Sequence, residues 1–180
     1  METLPWYVVT GVPSSGKTTL LDRLSSLYCA FPEAARVIID KGNAKGIPTK
    51  EIRKDELHFL RRVMNLKRYF ERIAPRDVPV FFDRGLHDNI AYYRLHGFDT
   101  AELDRYLMPN VYRAVFLLEP LPYEQYYART ESPEQVARLH ELFREAYEEY
   151  GYAVIDVPAF SGYPEDVSVR KRAEFVLDRI

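Results

Sequence analysis

The chain has 180 residues, of which 47% are apolar and 29% charged, and its formal net charge is −2. This length predicts one domain, residues 1–180, and the near-neutral charge argues against a nucleic-acid-binding protein. A single cysteine, no signal-peptide pattern and no apolar run long enough to cross a membrane favour a cytoplasmic protein.

A glycine-rich stretch at residues 11–20, GVPSSGKTTL, matches the pattern G-x-x-x-x-G-K-[ST]. A β-rich apolar run, Trp6–Thr10, precedes it, and apolar residues at helical spacing follow it as far as Tyr28. A strand, a glycine loop and a helix in this order are typical of a phosphate-binding loop (P-loop), whose backbone N–H groups surround a polyphosphate. We expect the nucleotide to contact Gly11, Pro13, Ser14, Ser15, Gly16, Lys17, Thr18 and Thr19.

Two side chains of this loop have distinct expected roles. Lys17 brings a cation to the β- and γ-phosphates, and the Thr18 hydroxyl can bind Mg²⁺. The expected cofactor is therefore Mg²⁺ with ATP or GTP, because P-loop contacts are made to phosphate and do not distinguish the base.

The rest of the chain alternates between strands and helices. Strands are predicted at 78–82, 113–118 and 152–157. Helices are predicted at 54–74, 88–97, 100–107 and 132–151 and at the C-terminus. Residues 36–40 fit a strand or a helix, and residues 41–49 predict a loop. This alternation predicts an α/β fold of three αβα layers, with about five parallel strands and helices on both faces, as in kinase-like P-loop NTPases.

Asp83 and Arg84 follow the predicted strand at 78–82, and ligands in such sheets bind beyond the carboxyl ends of the strands. We expect Asp83 to act in catalysis and to bind the metal with Thr18, and Arg84 to contact phosphate or the acceptor. A turn that merely ends the strand is the alternative. Asp88 fits either a helix N-cap or a substrate contact.

The polar segment at residues 119–132 contains two prolines and predicts a mobile lid. An arginine on a lid can close over the phosphates and neutralise charge in the transition state, and Arg129 is the expected residue. Arg138, on the following helix, is a weaker candidate, and a surface arginine without a catalytic role is the alternative.

Two motifs that are typical of other P-loop NTPases are missing from the sequence. The chain has no Asn-Lys-x-Asp sequence of the kind that reads the base in Ras-like GTPases. Asp83 is followed by Arg84, and not by the glutamate that positions water in motor ATPases. The first absence argues against a Ras-like GTPase, and the missing glutamate favours phosphoryl transfer to a bound acceptor over hydrolysis. Charge is also uneven, with a net of +6 over residues 45–76 and −5 over residues 119–150, which fits solvated helix faces or contact with an anionic substrate.

With these motifs, nearly the whole chain resembles the P-loop kinase-like AAA-domain family that is grouped with the nicotinamide riboside kinases of bacterial NAD metabolism. The matching segments are Glu33–Arg36, Phe81–Gly85 with Asp88, Arg129 with Glu131, and Gly151–Pro158. One position departs from the family pattern, since His87 stands where proline is usual.

The resemblance implies that Lys17 and Thr18 serve nucleotide phosphate and Mg²⁺, and that Asp83 is the metal-linked carboxylate. It implies that Arg84 and Arg129 contact phosphate, that Glu33 and Arg36 face the acceptor pocket, and that residues 33–41 are helical.

The function predicted from these observations is a small-molecule kinase. Its ligands would be a nucleoside triphosphate and a hydroxyl acceptor such as a nucleoside-like metabolite, in a pocket that Glu33, Arg36 and Asp88 help to form. The alternative is a nucleotide-dependent binding protein whose partner is a protein or an anionic lipid, which the basic stretch at 45–76 favours. The sequence specifies neither the acceptor nor the oligomeric state.

Overall fold

The protein was analysed as a computed structural model that describes residues 3–121 and 133–180. Its described strands form one sheet in which every pairing is parallel, in the order β2-β3-β1-β4-β5. The strands are β1 (Trp6–Thr10), β2 (Cys29–Phe31), β3 (Val80–Asp83), β4 (Ala114–Leu118) and β5 (Val154–Val157).

Helices connect these strands and cover the sheet. They are α1 (Lys17–Ser25), α2 (Ala34–Asn43), α3 (Thr49–Ile52), α4 (Glu56–Ile73), α5 (Asp88–Leu95), α6 (Pro133–Glu148) and α7 (Glu165–Leu177). The predicted three-layer fold with five parallel strands is confirmed. None of the described helices is both long and apolar enough to cross a membrane.

Alternate side chains of β1 explain the two packed faces of the sheet. Tyr7 and Val9 belong to a buried cluster with leucines of α1 and with Val176 of α7. Trp6 and Val8 face the other way and pack in a cluster that includes Tyr147 of α6. Successive residues of a strand point to opposite faces, so a strand buried on both faces is apolar throughout, as β1 is apart from its final threonine.

The strand order brings the two predicted catalytic segments together. β1 lies between β3 and β4, and Val9 of β1 is in register with Asp83 of β3. The P-loop that leaves β1 and the Asp83–Arg84 pair that leaves β3 therefore emerge side by side at the carboxyl edge of the sheet.

The segment after the P-loop differs from the prediction. The helix ends at Ser25 and not near Tyr28, and Cys29–Phe31 forms the short edge strand β2. Leu27, which continued the helical spacing, is 67% exposed. A three-residue strand with only partly buried side chains leaves no periodic pattern for sequence analysis to detect.

The predicted helix over 100–107 is wrong. These residues form successive turns, in which Leu103 N–H donates to Thr100 O and Tyr106 N–H donates to Leu103 O, three residues back in each case. Leu103 and Leu107 are nevertheless buried, so the apolar spacing reflects packing without an α-helix. Residues 36–40, for which the sequence allowed a strand or a helix, are helical because they lie within α2. Since α2 continues to Asn43, the loop that follows is shorter than predicted.

Candidate active site

The P-loop joins β1 to α1, and its backbone takes positive φ at three residues. The φ angles are 144° at Gly11, 59° at Ser14 and 83° at Gly16. A Cβ atom on Gly11 would lie 3.0 Å from the carbonyl oxygen of Leu118, at the end of β4. The first glycine is therefore required both by the backbone conformation and by the close approach of the loop to β4.

Lys17 begins α1, and its ammonium group is folded back over the loop. Its Nζ donates hydrogen bonds to Gly11 O (3.0 Å), Val12 O (2.7 Å) and Ser15 Oγ (3.3 Å). Burial, reinforced by the nearby Arg84 charge, lowers the pKa of Lys17 to about 8, although neighbouring carboxylates oppose this shift. The three hydrogen bonds of the ammonium thus tie the loop backbone to the first residue of α1.

Arg84 lies at the turn after β3 with a left-handed φ of 69°. Its backbone N–H donates to Val9 O (3.0 Å), which fixes the turn against β1. A long side chain in this conformation is strained, and such strain persists only where the surrounding structure holds it. Here Nε donates to Glu33 Oε1 (2.9 Å) and Nη1 to Asp88 Oδ1 (3.1 Å).

These ion pairs bring three of the predicted site residues together. Arg84 is almost fully buried, and neighbouring Tyr92, Glu33 and Asp88 raise its pKa well above the usual range although burial alone would lower it. Burial alone would raise the pKa of Glu33, but the charges of Arg84 and Lys17 outweigh it and lower this pKa to about 2. Both groups are therefore charged at neutral pH.

Asp88 is completely buried and accepts four hydrogen bonds. Oδ1 accepts from Thr10 Oγ1 and Arg84 Nη1, and Oδ2 accepts from Gly85 N–H and Tyr147 OH. Asp88 is the first residue of α5, so it is not the N-cap, which is His87. Both carboxylate oxygens are engaged within the protein, and its contact with substrate stays a prediction.

Lys67 of α4 is a site residue that sequence reasoning missed. It is 4% exposed, and its Nζ donates to Gly85 O (2.8 Å) and Asn89 Oδ1 (2.7 Å). Burial lowers its pKa to about 8, and the nearby Asp88 partly offsets this effect. The one available signal was that Lys67 interrupts the apolar side of α4, four residues after Val63.

Asp83 differs from Asp88 in having an unsatisfied oxygen. Its Oδ1 is buried and has no hydrogen-bond partner among the described residues. Burial and the nearby Glu33 charge raise the pKa of Asp83 to about 6, against the effect of Lys17 and Arg84. An unpaired, buried carboxylate oxygen suits a hard divalent cation, and the exposed Thr18 hydroxyl on the first turn of α1 offers a second oxygen. The chemistry of these residues fits Mg²⁺.

A cleft of about 360 Å³ opens beside this cluster. Its lining includes Pro13 of the P-loop, the Glu33–Arg84 pair and Lys67. Helices α2, α3 and α4 supply most of the remaining wall, which includes Arg36, Ile39, Asp40, Asn43, Thr49, Arg53, Phe59 and Tyr92. The cleft therefore joins the predicted nucleotide loop to the residues predicted to face an acceptor.

The outcome differs among the three other arginines that the sequence analysis proposed for the site. Arg36 lines the cleft and makes no ion pair or hydrogen bond with another described side chain. Arg129, and residues 122–132 of the predicted lid, lie outside the described residues. Arg138 forms ion pairs with Glu141 and Glu145 on its own helix.

His87 is buried among four tyrosine rings, with centroids 4.8–5.8 Å away, and neither ring nitrogen has a hydrogen-bond partner among the described residues. Its backbone φ of −65° is the value that a proline ring imposes, so this position accommodates either residue type.

Comparison with solved structures identifies the fold as that of P-loop kinases. Deoxyadenosine kinase from M. mycoides is 13% identical, with a TM-score of 0.61 over 97% of each chain. Thymidylate kinase from Ehrlichia chaffeensis is 16% identical, with a TM-score of 0.64 over 99% of this chain and 98% of the other. NadR protein in complex with NR is 19% identical, with a TM-score of 0.67 over 98% of this chain and 50% of NadR, so this chain spans about half its length.

No curated protein matches the sequence. A family model described as AAA domain matches residues 6–165, which include the P-loop, the Asp83–Arg84 turn and every described residue that lines the cleft. The chain therefore belongs to this AAA-domain family, within the P-loop kinase fold.

Proposed function

We propose that the protein is a small-molecule kinase that transfers the γ-phosphoryl group of ATP or GTP to a hydroxyl group of a nucleoside-like acceptor. The observation that carries this proposal is the cleft of about 360 Å³, whose wall includes both Pro13 of the P-loop and the Glu33–Arg84 ion pair. An acceptor in this cleft lies next to the loop that binds the donor phosphates. Such proximity supplies much of the catalysis in phosphoryl transfer.

The donor half of the reaction depends on the P-loop. Residues 11–19 would surround the triphosphate with backbone N–H groups, and the Lys17 ammonium would exchange its loop partners for the β- and γ-phosphate oxygens. Gly11 O, Val12 O and Ser15 Oγ are neutral acceptors, so a phosphate oxygen with full negative charge competes well for this cation. Lys17 then neutralises charge on the phosphoryl group during transfer.

Thr18 and Asp83 would hold Mg²⁺, which supplies charge neutralisation at the phosphates. The unpaired Oδ1 of Asp83 supports this assignment. Arg129 stays a proposed phosphate contact from the segment at 122–132.

The acceptor half depends on Glu33 and Arg84. Glu33 is ionised, and its contacts within the described residues involve only Oε1, which Arg84 engages. The carboxylate therefore keeps capacity to accept a hydrogen bond from an acceptor hydroxyl and to take its proton during transfer. Arg84 is fixed by Glu33 and Asp88, so its charge is oriented before a substrate binds.

The character of the cleft supports a nucleoside-like acceptor. Phe59 and Tyr92 contribute aromatic rings, while Arg36, Asp40 and Asn43 contribute hydrogen-bond donors and acceptors. A planar base with polar edges suits such a mixture of flat apolar and polar groups. Two structural neighbours are named for kinase substrates that carry a nucleobase, deoxyadenosine and thymidylate.

The proposal is tested by incubating the protein with labelled ATP and a panel of nucleosides and small metabolites, with products identified by mass spectrometry. Lys17→Ala should reduce the transfer rate at least a hundredfold, since loss of one charge-stabilising donor costs about 3–4 kcal/mol in the transition state. Lys45→Ala removes an exposed lysine from the turn that follows α2 and serves as the control. Equal turnover by the Lys17 and Lys45 variants would contradict the proposal.

A second candidate function is a nucleotide-dependent binding protein, and the outer face of α4 favours it. Arg68 lies 3.8 Å from the centre of the Tyr106 ring, and Arg72 lies 5.3 Å from that of Tyr69. Neither arginine forms an ion pair with a described carboxylate, so both charges remain open to an anionic partner. Partner binding that changes between the ADP and ATP complexes and weakens with salt would support this candidate.

A further inference from the structure

Arg172 of α7 connects three parts of the chain that meet at the carboxyl edge of the sheet. Nη1 donates to Ser15 O of the P-loop (2.5 Å), Nη2 to Glu119 O after β4 (3.1 Å) and Nε to Pro158 O after β5 (3.0 Å). The residue is 2% exposed, and 157 residues separate it from Ser15. One guanidinium group thus ties the P-loop to the ends of two neighbouring strands.

The partners of Arg172 are unusual for a buried cation. Its hydrogen bonds within the described residues all go to backbone carbonyls, and no described carboxylate lies within ion-pair distance. Burial of a cation is unfavourable unless its charge is compensated, and neutral carbonyls compensate only part of it. The positive charge therefore remains available to an anion on the other side of the loop.

The orientation of the peptide between Ser15 and Gly16 determines which loop atom the Arg172 charge acts on. In a trans peptide the C=O of one residue and the N–H of the next point in opposite directions. Since Arg172 holds the Ser15 carbonyl from one side, the Gly16 N–H points away from Arg172. This N–H has no hydrogen-bond acceptor among the described residues.

Gly16 also sets the distance between the guanidinium and the loop. A Cβ atom at Gly16 would lie 3.2 Å from Nη1 of Arg172, so the cation lies directly against the loop backbone. A charged donor on a carbonyl polarises that peptide and strengthens its N–H as a donor.

We propose that Arg172 is a positioning residue for phosphate binding. It acts from behind the P-loop, fixes the Ser15–Gly16 peptide and presents the Gly16 N–H to a phosphate oxygen. This inference rests only on the nucleotide-binding half of the proposed function. It does not depend on which acceptor the cleft binds. Arg172 also holds the backbone carbonyl of Glu119, the first residue of the segment predicted to be a lid.

The test compares Arg172→Met and Arg172→Lys with the control Arg170→Met, which removes an exposed arginine of the same helix. The dissociation constants for ATP and for inorganic tripolyphosphate are measured by calorimetry. Arg172→Met should weaken both at least about tenfold, because both depend on the same loop. Arg172→Lys keeps the charge but cannot reach three carbonyls, so it should bind more tightly than Arg172→Met and more weakly than wild type.

A site-specific readout separates positioning from simple structural support. In ¹⁵N-labelled protein, the Gly16 amide resonance should shift on tripolyphosphate addition in wild type and in Arg170→Met. In Arg172→Lys this response should be reduced while the resonances of the distant helix α4 are unchanged. If Arg172→Met does not fold, Arg172→Lys carries the test.

Folded Arg172 variants that bind tripolyphosphate as tightly as wild type would overturn this inference alone. Wild-type protein that binds neither ATP nor tripolyphosphate would overturn the nucleotide half of the proposed function and this inference with it. Wild-type protein that binds both but transfers phosphate to no acceptor would contradict only the kinase proposal.

Discussion

Replacement of His87 by leucine should remove much of the acid sensitivity of the fold. His87 is 1% exposed, and four tyrosine rings surround it: Tyr112, Tyr147, Tyr150 and Tyr152. Burial lowers the pKa of His87 to about 3; the nearby Asp88 charge opposes this shift, and the smaller effect of Lys67 adds to it. The unfolded chain has the ordinary histidine pKa of about 6.5.

The size of the effect follows from this difference. Between the two pKa values the unfolded state binds one more proton than the folded state, so the free energy of unfolding falls as the pH falls. A pH of 5 lies about 1.5 units below the pKa of the histidine in the unfolded chain. This difference corresponds to about 2 kcal/mol of lost stability relative to pH 7.5. Leucine cannot take up this proton, and it also removes two buried nitrogen atoms that lack hydrogen-bond partners among the described residues.

The measurement is urea denaturation of wild type and His87→Leu at pH 7.5 and pH 5. The loss of stability between these conditions should be about 2 kcal/mol smaller in the variant. His58→Leu removes an exposed histidine of α4 and controls for the loss of an imidazole. Equal losses in wild type and His87→Leu, or an NMR titration of His87 near its ordinary pKa in the folded protein, would refute the reasoning.

Three further substitutions test the site. Glu33→Gln should lower kcat at least about a hundredfold and leave the ATP dissociation constant nearly unchanged, because the lost carboxylate serves the acceptor; a comparable loss of ATP affinity would argue for a structural role. Asp83→Asn should reduce turnover more than nucleotide binding in assays with Mg²⁺, and equal reductions would limit Asp83 to ligand binding. Tyr147→Phe removes one donor to Asp88 and should lower the free energy of unfolding by about 1–3 kcal/mol in urea titrations; no change would mean that Asp88 is satisfied without it.

Sequence analysis predicted the parts of the site that depend on local backbone requirements. The P-loop is one of these, since its glycines, lysine and threonine lie within eight consecutive positions and need only a strand before and a helix after them. The Asp83–Arg84 pair was also found, because an apolar strand that ends in charged residues marks the functional edge of a parallel sheet.

The structure added the residues whose roles depend on contacts between distant segments. Lys67 reaches Gly85 and Asn89 from a helix that sequence periodicity describes only as amphipathic. Arg172 reaches the P-loop across 157 residues, and nothing in its own sequence neighbourhood distinguishes it from an exposed helical arginine.

Asp88 illustrates both what the sequence predicts about a residue and what depends on the tertiary structure. Its position after the Asp83–Arg84 turn predicted either a helix N-cap or a substrate contact, but the four hydrogen bonds that occupy its carboxylate come from β1, α6 and the turn itself. Sequence by itself determined the fold class and the phosphate loop, because both follow from short-range periodicity and backbone conformation. Only the tertiary structure decided how buried charges are paired, because that pairing depends on which distant side chains the packed helices bring within hydrogen-bond distance.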